Sequence, residues 1–151
     1  MVASTALQDE VLLMTEPLED VTREEMAQAG ASAFFNIAKE WGLSNDEVRT
    51  LLGNPSRSRF YELRRGSQAA CRSLSDDELD RLAYFTGIYA ALNILYSLNS
   101  HSEWLRNESR MPAEALYRPW GTGSPLGYML SGKLKALADV YEYVNAERGG
   151  M

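Results

Sequence analysis

Few side chains in this 151-residue chain could perform chemistry. Histidine and cysteine occur once each, as His101 and Cys71. A lone cysteine closes no internal disulfide, and the pair is too sparse for a Cys/His metal site, so no metal is expected. His101 has no cysteine, serine or carboxylate at a spacing that defines a catalytic centre. It reads as a helix-end or surface residue. Gly121-Thr122-Gly123 fails as a phosphate loop, because Gly127 falls one position late for G-x-G-x-x-G and Pro125 intervenes. No catalytic residue and no cofactor are expected.

Arginine is the side chain that stands out. Arg49, Arg57, Arg59, Arg64, Arg65 and Arg72 lie between positions 49 and 72 against one acid, Glu62. A local basic patch of this kind is the electrostatic footprint that nucleic acid requires. If Phe60 and Leu63 face a core, the opposite side of a helix over residues 56–65 carries Arg57, Ser58, Tyr61 and Arg65, with Ser56 at its start. The planar guanidinium donates two parallel hydrogen bonds to guanine or to a phosphate. Arg57, near the helix start, is the candidate for base readout, and Arg59, Arg64 and Arg65 are candidates for phosphate contacts. The competing explanation is a solvated face whose arginines pair with an acidic arm at residues 1–21 or with Asp76, Asp77 and Glu78.

The elements that would position these residues are helices. Ser or Thr followed three residues later by Glu recurs at Thr22, Ser44, Ser75 and Ser100, the pattern of a capping box that satisfies orphaned N–H groups at a helix start. Strand-like alternation is nowhere sustained, so the chain is expected to be all-α. A first helix is expected over residues 32–41, with Phe34, Ile37, Ala38 and Trp41 on one face before Gly42. A second covers residues 44–52 and stops at Gly53-Asn54-Pro55, residues suited to a tight turn. A third covers residues 56–65. Two short helices around such a turn have the layout of a helix-turn-helix, whose second helix lies in the major groove. The longest helix is expected over residues 75–99. Its apolar residues from Leu79 to Leu98 span more than one face, as in a central helix or a dimer interface. Residues 107–123 read as irregular. Ser124-Pro125 reads as an N-cap with proline at the first helical position, and a last helix covers residues 132–147.

The formal net charge of −6 is concentrated in residues 1–30, where seven acids face Arg23 alone. Bulk acidity therefore does not exclude DNA binding by the balanced remainder. Residues 1–21 read as an acidic arm. Asp9 and Glu10 stand where an export signal would place basic residues, and no apolar stretch approaches the ~20 residues of a membrane span, so a cytoplasmic location is expected.

These residues resemble one family. Phe35-Asn36-Ile37, Trp41-Gly42-Leu43-Ser44, Leu51-Leu52-Gly53, Pro55-Ser56-Arg57-Ser58, Tyr61 and Arg65-Gly66 are similar to the Xre-type half of Xre/MbcA/ParS antitoxins. Leu74-Ser75, Arg81-Leu82 and Gly87-Ile88-Tyr89-Ala90-Ala91-Leu92 continue the likeness. Trp104-Leu105-Arg106-Asn107, Gly123-Ser124-Pro125-Leu126, Met129-Leu130, Gly132, Tyr143-Val144 and Arg148-Gly149-Gly150 resemble that family's toxin-binding domain. The departure lies at residues 107–123, where a short Asn- or Gly-rich link would be usual.

The resemblance implies an Xre-like helix-turn-helix bundle over residues 22–99 and a small helical toxin-binding domain over residues 100–151. The expected partners are operator DNA and a RES-domain toxin that consumes NAD, silenced by covering its active site. Toxin contacts are expected at Trp104, Gly123, Ser124, Pro125, Leu126, Lys133, Arg148, Gly149 and Gly150. A guanidinium at Arg148, beyond the last helix, suits a pocket for an anionic dinucleotide, unless that end is merely a frayed terminus. A homodimer is expected from the breadth of the long helix. Two rival readings stay open: a regulator whose C-terminal half senses a small molecule, and an enzyme.

Overall fold

The computed structural model describes Val11 and residues 22–150, so the expected arm at residues 1–21 lies almost wholly outside the described residues. Helices and turns make up the described chain, with no strand among the described residues, as the capping pattern required. The first described helix, α1 (Arg23–Glu40), starts nine residues earlier than the apolar stripe suggests. Thr22 caps it by accepting from the Glu25 N–H, and its first turns bury only small residues, Ala27, Gly30 and Ala31. Gly42, at φ +68, then reverses the chain.

Next come α2 (Asn45–Leu51) and α3 (Arg57–Arg64), capped by Ser44 and Ser56. The Ser44/Glu47 capping box is complete, and the N–H donated by Ser44 holds the Glu47 carboxyl below its ordinary range. A short helix absent from the sequence reading, α4 (Gln68–Arg72), follows Gly66. The Ser75/Glu78 box opens α5 (Asp76–Leu95), the central helix. It ends four residues before position 99, because Tyr96 turns extended and Leu98–Ser100 forms a 3-10 turn. Ser100 therefore sits in a helical conformation and makes no side-chain cap, so that fourth capping signal fails. Beyond it lie α6 (His101–Arg106), α7 (Pro112–Ala115) inside the stretch expected to be irregular, α8 (Pro125–Met129) and α9 (Leu134–Gly149).

One hydrophobic core runs through both halves. Helix α5 lies between α1 and α9 and makes its most extensive packing with α9. Its buried residues Leu82, Phe85, Ile88, Tyr89 and Leu92 are thereby covered within the chain. The breadth of its apolar surface thus belongs to a central helix, and it no longer argues for a dimer. Phe85 packs against Phe34 at 4.6 Å and Trp41 at 4.9 Å, tying α1 to α5. At Gly87 the approach of α9 is so close that a Cβ would stand 2.5 Å from the Tyr141 ring.

His101 is fully buried, which corrects its assignment to the surface, although it does begin a helix. Its Nδ1 accepts from the Trp41 indole at 3.1 Å, while its Nε2 makes no hydrogen bond of ordinary geometry among the described residues. Burial holds this imidazole below the ordinary histidine value of 6.5, against an opposing pull from the Leu92 and Tyr96 backbone. The unfolded chain therefore takes up the proton first on acidification. The stability contributed by the neutral ring is complete above about pH 6.5. It is lost as pH falls from there towards the folded value, by at most about 1.4 kcal/mol per pH unit. His101→Asn, which keeps an acceptor for Trp41 without a titrating ring, should flatten the melting temperature between about pH 7 and 5 relative to the parent. Parallel pH profiles for the two proteins would refute this assignment.

Candidate functional site

The basic face is built by α3. Phe60 and Leu63 are buried, so Arg57, Ser58, Tyr61 and Arg65 are exposed on the outward side, as the periodicity requires, and Arg64 at its flank is exposed as well. Ser56 accepts from the Arg59 N–H at 3.3 Å and fixes the start of the helix. Arg57 has no side-chain partner among the described residues and is free to meet a ligand. Arg64 lies over the Phe60 ring at 5.7 Å, and Arg65 pairs with Glu62 on the same helix.

Arg59 differs from its neighbours. Its guanidinium turns inward to the Glu78 carboxylate, at 2.5 and 2.9 Å, and to the Ser73 carbonyl at 3.1 Å. It therefore ties α3 to the start of α5. Arg72 pairs with Glu24 at 3.3 Å, and Arg49 donates to the Pro55 carbonyl at 2.6 Å. Four of the six arginines, Arg49, Arg59, Arg65 and Arg72, thus have intramolecular polar partners, of which Arg59 with Glu78 is the pairing the competing explanation named, while Arg57, Arg64 and Arg65 remain exposed on the outward face.

The turn before α3 is held from behind. Gly53 at φ +96 and Asn54 at φ +59 take left-handed conformations, which glycine and asparagine tolerate best. The buried Arg81 of α5 packs on Gly53, where a Cβ would stand 3.2 Å from its Nε. It donates to the Leu51 carbonyl at 3.3 Å and to Asp77 at 2.7 Å. Arg81 satisfies a helix-end carbonyl and sets the angle at which α3 is presented. This role is not legible in the sequence, since the partners of Arg81 only converge in the fold.

The expected toxin-contact residues do not form one cluster. Trp104 is half-buried, its ring 5.7 Å from that of the buried Trp120. Gly123 is exposed and its carbonyl accepts from the Ser109 N–H at 3.0 Å. Ser124 caps α8 by accepting from the Gly127 N–H at 3.0 Å, whereas Pro125 and Leu126 are buried. Lys133 is exposed at the start of α9 and Arg148 at its end, about 22 Å apart along the helix axis. Gly132, beside Lys133, instead abuts Thr50 and Asn54 of the helix-turn-helix. Arg148 and Gly149 belong to the last turn of α9, and Gly150 is its C-cap at φ −81. The cation is thus carried on a helix, which corrects its placement beyond one.

Among the described residues no three His, Cys, Asp or Glu side chains are grouped to hold a metal ion, and no helix is long and apolar enough to cross a membrane. Residues 20–87 match the family model of the antitoxin Xre-like helix-turn-helix domain. Over 141 residues the chain is 31% identical to the uncharacterized protein y4oB of Sinorhizobium fredii (strain NBRC 101917 / NGR234), covering 91% of this chain and 100% of that protein. No solved structure matches. The chain belongs to the same family as y4oB, and its residues 20–87 constitute an antitoxin Xre-like helix-turn-helix domain.

Proposed function

We propose that the protein is an antitoxin of the Xre/MbcA/ParS type, itself no enzyme, acting in the cytoplasm. Its C-terminal half binds a RES-domain toxin and covers the site where that toxin consumes NAD, and its basic face represses its own operon. The observation that carries this reading is Arg57, exposed on α3 and without a side-chain partner among the described residues, within a domain of antitoxin type. The exposed apolar side chains Met111, Leu116 and Tyr117 supply further surface for the toxin in the segment that departs from the family. The decisive experiment is co-expression with the protein encoded by the adjoining gene. A NAD-consuming partner that co-purifies and is silenced supports the reading, and an isolated gene with no such partner overturns it.

Replacing Arg57 by Ala should relax sequence preference at one operator position, worth about 1–3 kcal/mol of discrimination. Arg64→Ala should weaken binding to all sequences and reduce the salt slope by about one. Titrations of operator and random duplex at several salt concentrations separate the two effects. Absence of any salt-sensitive binding by the parent protein would make the module a scaffold. The proposal includes a homodimer, for which a strict monomer by light scattering at micromolar concentration is the contrary result.

A second reading, a helix-turn-helix regulator whose C-terminal half senses a small molecule, is favoured by a cleft beside Trp104 and Trp120.

A further inference from the structure

That cleft, of about 310 Å³, lies between the end of α5, α6, residues 118–125 and the last turns of α9. Its size is at the lower end of small-ligand sites. Three of the rings lining it meet nearly at right angles: Trp104 and Trp120 at 78°, Trp120 and Tyr143 at 75°. Arg118 and Glu147 line the same cleft. Among the described residues these opposite charges pair neither with each other nor with any other charged side chain. Arg118 donates through Nη1 to the Ser109 hydroxyl, which leaves the rest of its guanidinium available. Trp120 is 8% exposed, yet its indole N–H has no acceptor among the described residues. Buried donors are nearly always satisfied, so an orphan beside an open cleft calls for an acceptor.

A simple carboxylic acid would satisfy Arg118 but leave Glu147 without a partner. A simple amine would do the reverse. A molecule that carries both charges on an apolar body meets Arg118, Glu147 and the aromatic rings together. We propose that this cleft binds a small zwitterion of the free α-amino-acid class with an aromatic or large aliphatic side chain. Its carboxylate pairs with Arg118, its ammonium with Glu147, and its apolar body rests on Trp104 and Tyr143. Asn107, on the rim, offers a further hydrogen bond. The proposal rests on the small-molecule-sensing reading and names its ligand. It is tested without toxin or DNA, so its failure leaves the antitoxin reading standing, and a failed toxin assay leaves the ligand site standing.

The experiment is calorimetric titration of the full chain, with NMR observation of the Trp120 indole N–H, identified by its loss in Trp120→Phe. The probes are L-phenylalanine, L-tryptophan and L-leucine, with 3-phenylpropanoate and 2-phenylethylamine as analogues carrying one charge. At least one amino acid should saturate the site and shift the Trp120 resonance, and removing either charge from phenylalanine should weaken binding by about tenfold or more. Glu147→Gln should abolish the preference for phenylalanine over 3-phenylpropanoate, and Arg118→Gln the preference over 2-phenylethylamine. Glu147 is exposed, so its variant keeps the test valid even if Arg118→Gln is poorly folded. No saturation by any of the three amino acids up to about 10 mM, or equal affinity for either single-charge analogue, overturns the proposal.

Discussion

Gly87→Val should lower the melting temperature by roughly 6–12 °C and melt both halves of the protein together. A Cβ at this position would stand 2.5 Å from one carbon of the Tyr141 ring and 2.8 Å from the next. The ring cannot easily retreat, because Tyr84 flanks it at 5.6 Å on the central helix. Overpacking of this kind costs about 1–3 kcal/mol. The full Val side chain puts the loss near the upper end, about 3 kcal/mol, which for a chain of this length gives that shift. Tyr141→Ala in the same chain should restore part of the loss, with a coupling of about 1 kcal/mol or more in a double-mutant cycle. Because α5 contributes to the core on both its α1 and its α9 side, tryptophan fluorescence and far-UV circular dichroism should report a single transition. A variant in which α9 melts first while residues 22–95 persist would establish two independent domains instead.

This shared core was only half legible beforehand. Local signals served well wherever the partners lie within one turn: the boxes at Ser44/Glu47 and Ser75/Glu78 are complete, and Pro125 opens α8 as its position demands. They failed where local context overrode them, as at Ser100, which the preceding 3-10 turn holds in a conformation that cannot cap. The early turns of α1 escaped notice because small residues, Ala27, Gly30 and Ala31, carry little hydrophobic contrast although they are buried. Helix α4 is only five residues long, too short to display a period.

At the candidate site the same division holds. The outward face of α3 follows from the spacing of Phe60 and Leu63, so the exposure of Arg57, Ser58, Tyr61 and Arg65 could be read in advance. Pairing with Glu78 was among the alternatives the charge pattern left open, but that Arg59 is the arginine turning inward could not be read, because Ser73 and Glu78 lie 14 and 19 residues away and meet it only once α5 is packed. Arg81 is a further instance, its partner carbonyl being 30 residues distant. The cleft beside Trp120 was hidden for a different reason: its walls come from α6, α9 and a stretch with no period at all. Long-range convergence of polar groups leaves no trace in periodicity, whereas burial of one helix face does.

Deleting residues 133–151 should abolish toxin silencing and DNA binding together, and for that reason it cannot locate the inhibitory group. The deletion removes Leu137, Val140 and Val144, each at most 1% exposed. At about 1.5–3 kcal/mol for each buried side chain, the loss is comparable with the whole stability of a small protein, about 5–15 kcal/mol. Arg148→Ala is the discriminating change. Its side chain is exposed on the last turn of α9 and makes no ion pair among the described residues, so the fold should be disturbed by well under about 0.5 kcal/mol. Carried on a helix end, the guanidinium has a defined direction, and Gly149 and Gly150 add no bulk beside it. If it enters the NAD-binding site of a RES-type toxin, the variant should still form the complex, with affinity altered by about threefold or less. Residual toxin turnover at saturating antitoxin should nevertheless rise about tenfold or more, since only the inserted charge is lost. Binding and turnover must be measured separately. Full inhibition by Arg148→Ala at equal occupancy would show that the body of the C-terminal half covers the toxin's site and that the cation is incidental.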